Sequence, residues 1–168
     1  MNIIKKHLNY FVLFAALVAI GLDQLFKYLA IQFLSGIETL PLINGVLNLT
    51  YLENRGAAFG IFQGKKFLLV GITGLLILGL IVLLLAGRIR SAMLMWAVGL
   101  IIGGGIGNLI DRIFRGYVVD YVHVRFIQFP IFNFADCLVV IGTIMIIIYF
   151  LFIEGRKKTD EKTQETSK

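Results

Sequence analysis

Residues 67–86 read FLLVGITGLLILGLIVLLLA, twenty positions without a single charge. A helix needs about 20 apolar residues to cross ~30 Å of hydrocarbon, so this stretch predicts a membrane span. Working outward, three more segments meet the same demand. One lies over 9–33, uncharged as far as Leu22 and then carrying Asp23 and Lys27. Another lies over 92–112 and ends on Asp111 and Arg112. The last lies over 136–153. A cleaved signal peptide is a rival for the N-terminus, where Lys5 and Lys6 precede an apolar run. No small-residue cleavage site follows, and Asp23-Gln24 is a poor flank for one. The expected fold is therefore an all-α membrane protein of four transmembrane helices in one domain, 1–153. Outer loops at 35–66 and 113–135 join them, and a polar tail, 154–168, is expected to be disordered.

Composition agrees with this division. The chain has 168 residues, 58% of them hydrophobic and 15% charged, with a mean hydropathy of +0.88. Those values exclude a disordered chain and argue against a water-soluble enzyme. One cysteine excludes an internal disulfide framework and any multi-cysteine metal site. The net charge of +6 first points to an acidic partner, but its placement says otherwise. Lys5, Lys6, Arg88, Arg90, Arg156, Lys157, Lys158, Lys162 and Lys168 fall on one side of the spans. By the positive-inside rule that side is cytoplasmic and holds both termini. The charge is then mostly a topology signal, and nucleic acid drops out as a partner.

The outer loops read differently. Residues 46–52, VLNLTYL, alternate with β-propensity, and 117–124, YVVDYVHV, are again strand-like. Short strands from the two loops are expected to pair into a small extracytoplasmic sheet. Six acidic residues lie outside the tail, all toward this side: Asp23, Glu38, Glu53, Asp111, Asp120 and Asp136. Ionisable groups in or beside a span cost free energy unless they are paired or face a wet cavity. Their one-sided crowding is the main functional clue.

Each has a plain structural reading as well. Asp23 and Lys27, four apart on one helix face, make an interfacial ion pair if Lys27 snorkels outward. Gly104, Asn108, Asp111 and Arg112 form one stripe at the outer end of the third span. Close helix packing accounts for the glycines there, Gly103 and Gly107 included, but not for Asn108 and Asp111. Asp136 heads the fourth span, where an acid favours the helix dipole. Asn54 sits in a small-residue stretch that reads as a turn.

Elimination narrows the chemistry. No H-E-x-x-H occurs, so a zinc protease lacks ligands. No G-x-S-x-G surrounds Ser35, the one outer serine. A Cys137/His123 pair is conceivable, but Cys137 at the start of a span is better read as a small buried apolar residue. Carboxylate chemistry survives. Two aspartates in a site of low dielectric share one proton, and such a pair hydrolyses a peptide bond without metal or covalent intermediate.

Five blocks in order now carry a resemblance: Asp23-Gln24-Leu25-Phe26-Lys27, then 54–60 (NRGAAFG), 103–112 (GGGIGNLIDR), 118–121 (VVDY) and 132–136 (FNFAD). Together they resemble bacterial lipoprotein signal peptidases, the signal peptidase II family. Tyr121 stands where Phe is common, and Cys137 where Ser often follows the second Asp. The resemblance implies that Asp120 and Asp136 are the catalytic dyad. It implies binding or supporting roles for Asp23, Lys27, Asn54, Gly56, Ala58, Gly104, Asn108, Asp111, Arg112, Val119, Asn133 and Ala135. It also implies a prolipoprotein substrate whose Cys carries a diacylglyceryl group, with cleavage just before that Cys and no metal or cofactor. Inhibition by globomycin, a multi-pass bacterial plasma-membrane location and a monomer working among membrane lipids complete the expectation. A small transporter would spread its polar residues to the midplane. A non-catalytic scaffold would leave Asp120 and Asp136 without a shared purpose. The G-x-G-D block of presenilin-like proteases is absent.

Overall fold

A computed structural model describes residues 3–37, 39–56 and 61–154. Its elements run α1 (Ile3–Leu34), β1 (Thr39–Ile43), β2 (Leu47–Asn54), α2 (Lys66–Leu85), α3 (Ala92–Phe114), β3 (Val118–Val124) and α4 (Phe134–Ile148). A π-helical turn, Tyr149–Glu154, extends α4. All four helices have spans long and apolar enough to cross a membrane. The expected all-α membrane architecture with a small sheet is the one found.

The third helix is the centre of the bundle, and its glycines explain why. Close packing of membrane helices depends on small residues that let backbones approach. A Cβ at Gly103 would lie 3.3 Å from the Ala16 carbonyl of α1, and one at Gly105 would lie 2.9 Å from Ile77 of α2. From the other side, a Cβ at Gly142 of α4 would lie 2.6 Å from the Ala97 carbonyl of α3. Around these contacts Val12, Ala16, Ile77, Leu84, Met95, Val98 and Ile102 form the buried core. By contrast α2 turns Phe67, Leu75, Leu76 and Leu78 outward, an apolar surface suited to lipid. Asn9 ties the far end of the bundle together by donating to the Leu84 carbonyl at 2.8 Å.

At the opposite end the three strands form one antiparallel sheet in the order β1-β2-β3. Gly45, at φ 74°, makes the tight turn between β1 and β2. Alternation in the sequence points to β2 and β3 alone. Strand β1 carries Pro41 and is exposed throughout, and an edge strand is where proline is tolerated. Sequence and structure also differ at the end of β2, which runs on to Asn54 and places that residue on the sheet. A shift of register between Leu49 and Leu52 brings Leu52 opposite Asp120 and Asn54 opposite Val118. Val119 packs the sheet onto α1 through Ala30 and Leu34, with Tyr51, Tyr117 and Tyr121 around them. Because side chains alternate along a strand, Asp120 is turned the other way, into the bundle.

Candidate active site

Asp120 is 1% exposed in the middle of β3. Its Oδ1 accepts from the Asn133 side-chain amide at 2.6 Å, and its Oδ2 accepts from the Asn54 amide at 2.9 Å. Burial, aided by the nearby Asp136 charge, pushes its carboxyl up to about 6, while the two amides hold it lower than burial alone would.

Asp136 is positioned by the start of α4. Asn133 is the N-cap: its side chain accepts from the Asp136 N–H at 3.0 Å, and its own N–H donates to Asp136 Oδ2 at 3.1 Å. This is a capping box, with Asp in the position where Glu or Gln is usual. It fixes the carboxylate and leaves Oδ1 for the Asn108 amide at 2.8 Å. The capping role and membership of the site are therefore carried by different oxygens of one side chain.

Behind the two carboxylates lies a buried ionic cluster. Lys27 is 0% exposed and does not snorkel. Its Nζ lies 2.9 Å from Asp23 and 3.1 Å from Asp111, and it donates to Asn108 Oδ1 at 2.8 Å. Asp23 also accepts from the Ala135 N–H at 3.1 Å, one of the free N–H groups at the head of α4. Asp111 accepts from the Val119 N–H at 3.1 Å, which pins β3 next to Asp120. Gly107 leaves room for the Asp23 carboxylate, and Gly104 sits against the Ala135 carbonyl.

Arg112 links α3 to the chain just after β2, donating to the Gly56 carbonyl at 3.0 Å and the Asn108 carbonyl at 3.4 Å. Gly56 donates its N–H to Asn54 Oδ1 at 3.0 Å, so Asn54, the last residue of β2, holds the chain that leaves the strand through its oxygen and Asp120 through its amide. Ala58 lies outside the described residues. His123 bonds Thr50 at 3.2 Å on the sheet, with no bond to Cys137. Among the described residues, no group of three or more His, Cys, Asp or Glu is placed to hold a metal ion.

These groups line a cavity of about 1030 Å³. Its polar wall holds Asp120, Asp136, Asn54, Asn108 and Arg112. Its apolar wall holds Phe129, Ile131, Val139 and Val140, with Thr73 and Gly105 from α2 and α3. Gln24 and Arg115 also join the cluster, and sequence reading gave neither a role. The signal was there for Arg115, which stands four residues beyond Asp111 on one helix.

The profile of the family described as signal peptidase (SPase) II matches residues 15–152. The lipoprotein signal peptidase of Halothermothrix orenii is 47% identical over 133 residues, covering 79% of this chain and 90% of its own. That of Clostridioides difficile is 43% identical over 146 residues, covering 84% and 95%. A solved structure described as a bacterial membrane enzyme, determined by the in meso method at 2.3 Å resolution, superposes with a TM-score of 0.77. It is 32% identical and covers 85% of this chain and 87% of its own. The chain therefore belongs to the signal peptidase II family of bacterial membrane peptidases.

Proposed function

We propose that the chain removes the signal peptide from prolipoproteins, cutting just before a Cys that carries a diacylglyceryl group, with Asp120 and Asp136 as the catalytic dyad. The observation that carries this reading is the joint hold of Asn133 on both carboxylates at the wall of one large, mainly apolar cavity. The ionised member of the pair takes a proton from water, and the oxygen so activated adds to the scissile carbonyl. The protonated member gives its proton to the carbonyl oxygen. Collapse of the tetrahedral diol breaks the C–N bond: the departing amine takes a proton from the pair while a diol hydroxyl returns one, which leaves the product acid and the pair with its single shared proton. No metal or cofactor enters the scheme.

The substrate's chemistry suits the walls. A lipid-bearing residue at the end of a signal helix needs apolar surface beside polar groups, and Val139 and Val140 adjoin Asp136 in that way. The nine clustered cations favour cytoplasmic termini by the positive-inside rule, and on that reading the site opens near the outer face of the plasma membrane. The partners are prolipoprotein and membrane lipid, the chain works as a monomer, and a globomycin-type cyclic peptide blocks it.

The test is incubation of the purified full chain in detergent with a lipidated prolipoprotein, with and without globomycin, read by mass spectrometry. Cleavage before the lipid-bearing Cys, lost in Asp120→Asn and in Asp136→Asn, is the expected result. Cleavage elsewhere, or near-normal turnover in either variant, overturns the reading.

A further inference from the structure

Arg115 closes the last turn of α3, where its own N–H donates to the Asp111 carbonyl at 2.8 Å. Its guanidinium reaches back to pair with Asp111 Oδ1 and donates to Gln24 Oε1 at 3.1 Å. The Gln24 amide in turn lies 3.3 Å from Asp111 Oδ1, 3.1 Å from the Gly107 carbonyl and 3.2 Å from Asp23 Oδ2. Arg115 and Gln24 thus hold the outer oxygen of Asp111, while its inner oxygen takes Lys27 and the Val119 N–H.

Two consequences reach the dyad. The first concerns charge. Asp23 and Asp111 are both buried, and Lys27 neutralises only one of them. Arg115, with its side chain 28% exposed, supplies the second cation, so the cluster is balanced with it and net negative without it. The second is orientation. Asn108 Oδ1 accepts from Lys27 at 2.8 Å and from Asn133 at 3.1 Å. With its oxygen so occupied, its Nδ2 is turned to Asp136. An Asp111 free to rotate would leave Lys27 to Asp23 alone, and Asn108 would lose the fixed position of one of the two donors that set its amide.

We propose that Arg115, acting through Gln24 and Asp111, is a positioning residue for the aspartate pair: it fixes Lys27 and hence Asn108, and balances the charge behind Asp120 and Asp136. This rests on the dyad reading above. The charged groups that face Asp120 are Asp136 on α4, Lys27 on α1 and Arg112 on α3, and Glu53 of β2 and Arg55 just beyond it line the same cavity, so Arg115 acts from behind them.

The experiment compares the full chain with Arg115→Met and Arg115→Lys. Arg115→Met is expected to lower kcat ~10-fold with KM within about twofold, since positioning rather than substrate contact is lost. Arg115→Lys, which keeps the charge, is expected to recover most of the rate. The Asp120 carboxyl is followed separately by isotope-edited infrared titration, assigned by its loss in Asp120→Asn. Its midpoint is expected to rise in Arg115→Met, because a balancing cation is gone, and to return in Arg115→Lys. Unchanged kcat and an unchanged midpoint in Arg115→Met overturn the proposal, as does a rate loss that Arg115→Lys fails to rescue. If the wild type does not cleave before the lipid-bearing Cys, the dyad reading fails instead, and the infrared midpoint still decides whether Arg115 governs Asp120.

Discussion

Asn133 donates its side-chain amide to Asp120 at 2.6 Å, a bond that joins the cap of α4 to the middle of β3. The same residue caps α4 through its oxygen, so cap and site share one side chain. Replacement by Ser separates the two roles. Asn133→Ser keeps a good N-cap oxygen and loses the amide donor, so thermal stability should hold while turnover drops ~10-fold or more. Asn133→Ala should lose the same rate and also ~1 kcal/mol of stability. Parallel melting and turnover assays on the two variants check this, and equal stability in both would remove the capping role.

The Asp120 carboxyl, pushed up to about 6 by burial and the Asp136 charge, makes stability depend on pH. Between about 4, the ordinary carboxyl value, and about 6, the folded chain binds a proton that the unfolded chain does not. The sign is therefore that stability falls as pH rises through this window. Asp120→Asn removes the ionising group, so it should stabilise the fold by up to ~3 kcal/mol well above pH 6 and bring no such gain below about pH 4. Denaturation in detergent at pH 4 and pH 7.5 measures both. A gain of equal size at the two pH values would mean that ionisation is not its source.

On the dyad reading proposed above, the same carboxyl sets the rate. Activity then needs one proton shared by the pair, so kcat/KM should fall ~10-fold per pH unit once the free enzyme loses that proton, starting near the titration at about 6. The limb for kcat should lie at higher pH, because a bound substrate dries the cavity and disfavours a second negative charge. A pH series under single-turnover conditions separates the two limbs. A flat profile from pH 4 to 9 with chemistry limiting would rule out a titrating pair.

Much of this site was legible in sequence because charge is scarce in an apolar chain. Asp23, Lys27, Asp111, Asp120 and Asp136 each demanded a reason, and each has a partner in the structure. The span lengths were legible for the same reason, since an uncharged run such as 67–86 admits few other readings. Less accessible was anything decided by tertiary reach. Lys27 had a plausible path to water by snorkelling, and only the approach of α3 shows it enclosed by two carboxylates. Strand β1 has no alternating pattern because, as an exposed edge, it buries neither face. Gln24 makes its bonds across more than eighty positions of sequence, a distance at which spacing carries no signal.

Burial of Lys27 makes it the most sensitive member of the ionic cluster. Lys27→Met fills the space and leaves Asp23 and Asp111 facing each other without the shared cation. Such a break costs about 3–5 kcal/mol, far beyond the effect of a positioning contact at the surface. The double variant Asp23→Asn with Lys27→Met should recover part of that loss, since one of the stranded charges is gone. Expression and melting of the two variants beside the wild type report on it. A Lys27→Met protein as stable as wild type would show that the cluster is hydrated rather than dry.

The glycines of α3 and α2 differ in what an added side chain would meet. A Cβ at Gly104 meets the Ala135 carbonyl and lies 2.9 Å from the Val139 side chain, and the backbone contact cannot swing aside. Gly104→Ala must therefore part α3 from α4, at a cost of about 1–3 kcal/mol. Parting them also moves Asn108 away from Asp136, so turnover should fall together with stability. A Cβ at Gly79 of α2 meets nothing within 4 Å. There Gly79→Ala only restricts the unfolded chain and favours the helix, so it should be neutral or stabilising by up to ~1 kcal/mol with turnover unchanged. Side-by-side melts of the two variants test the packing directly. Equal effects at the two positions would mean that α3 and α4 are not in the close contact described.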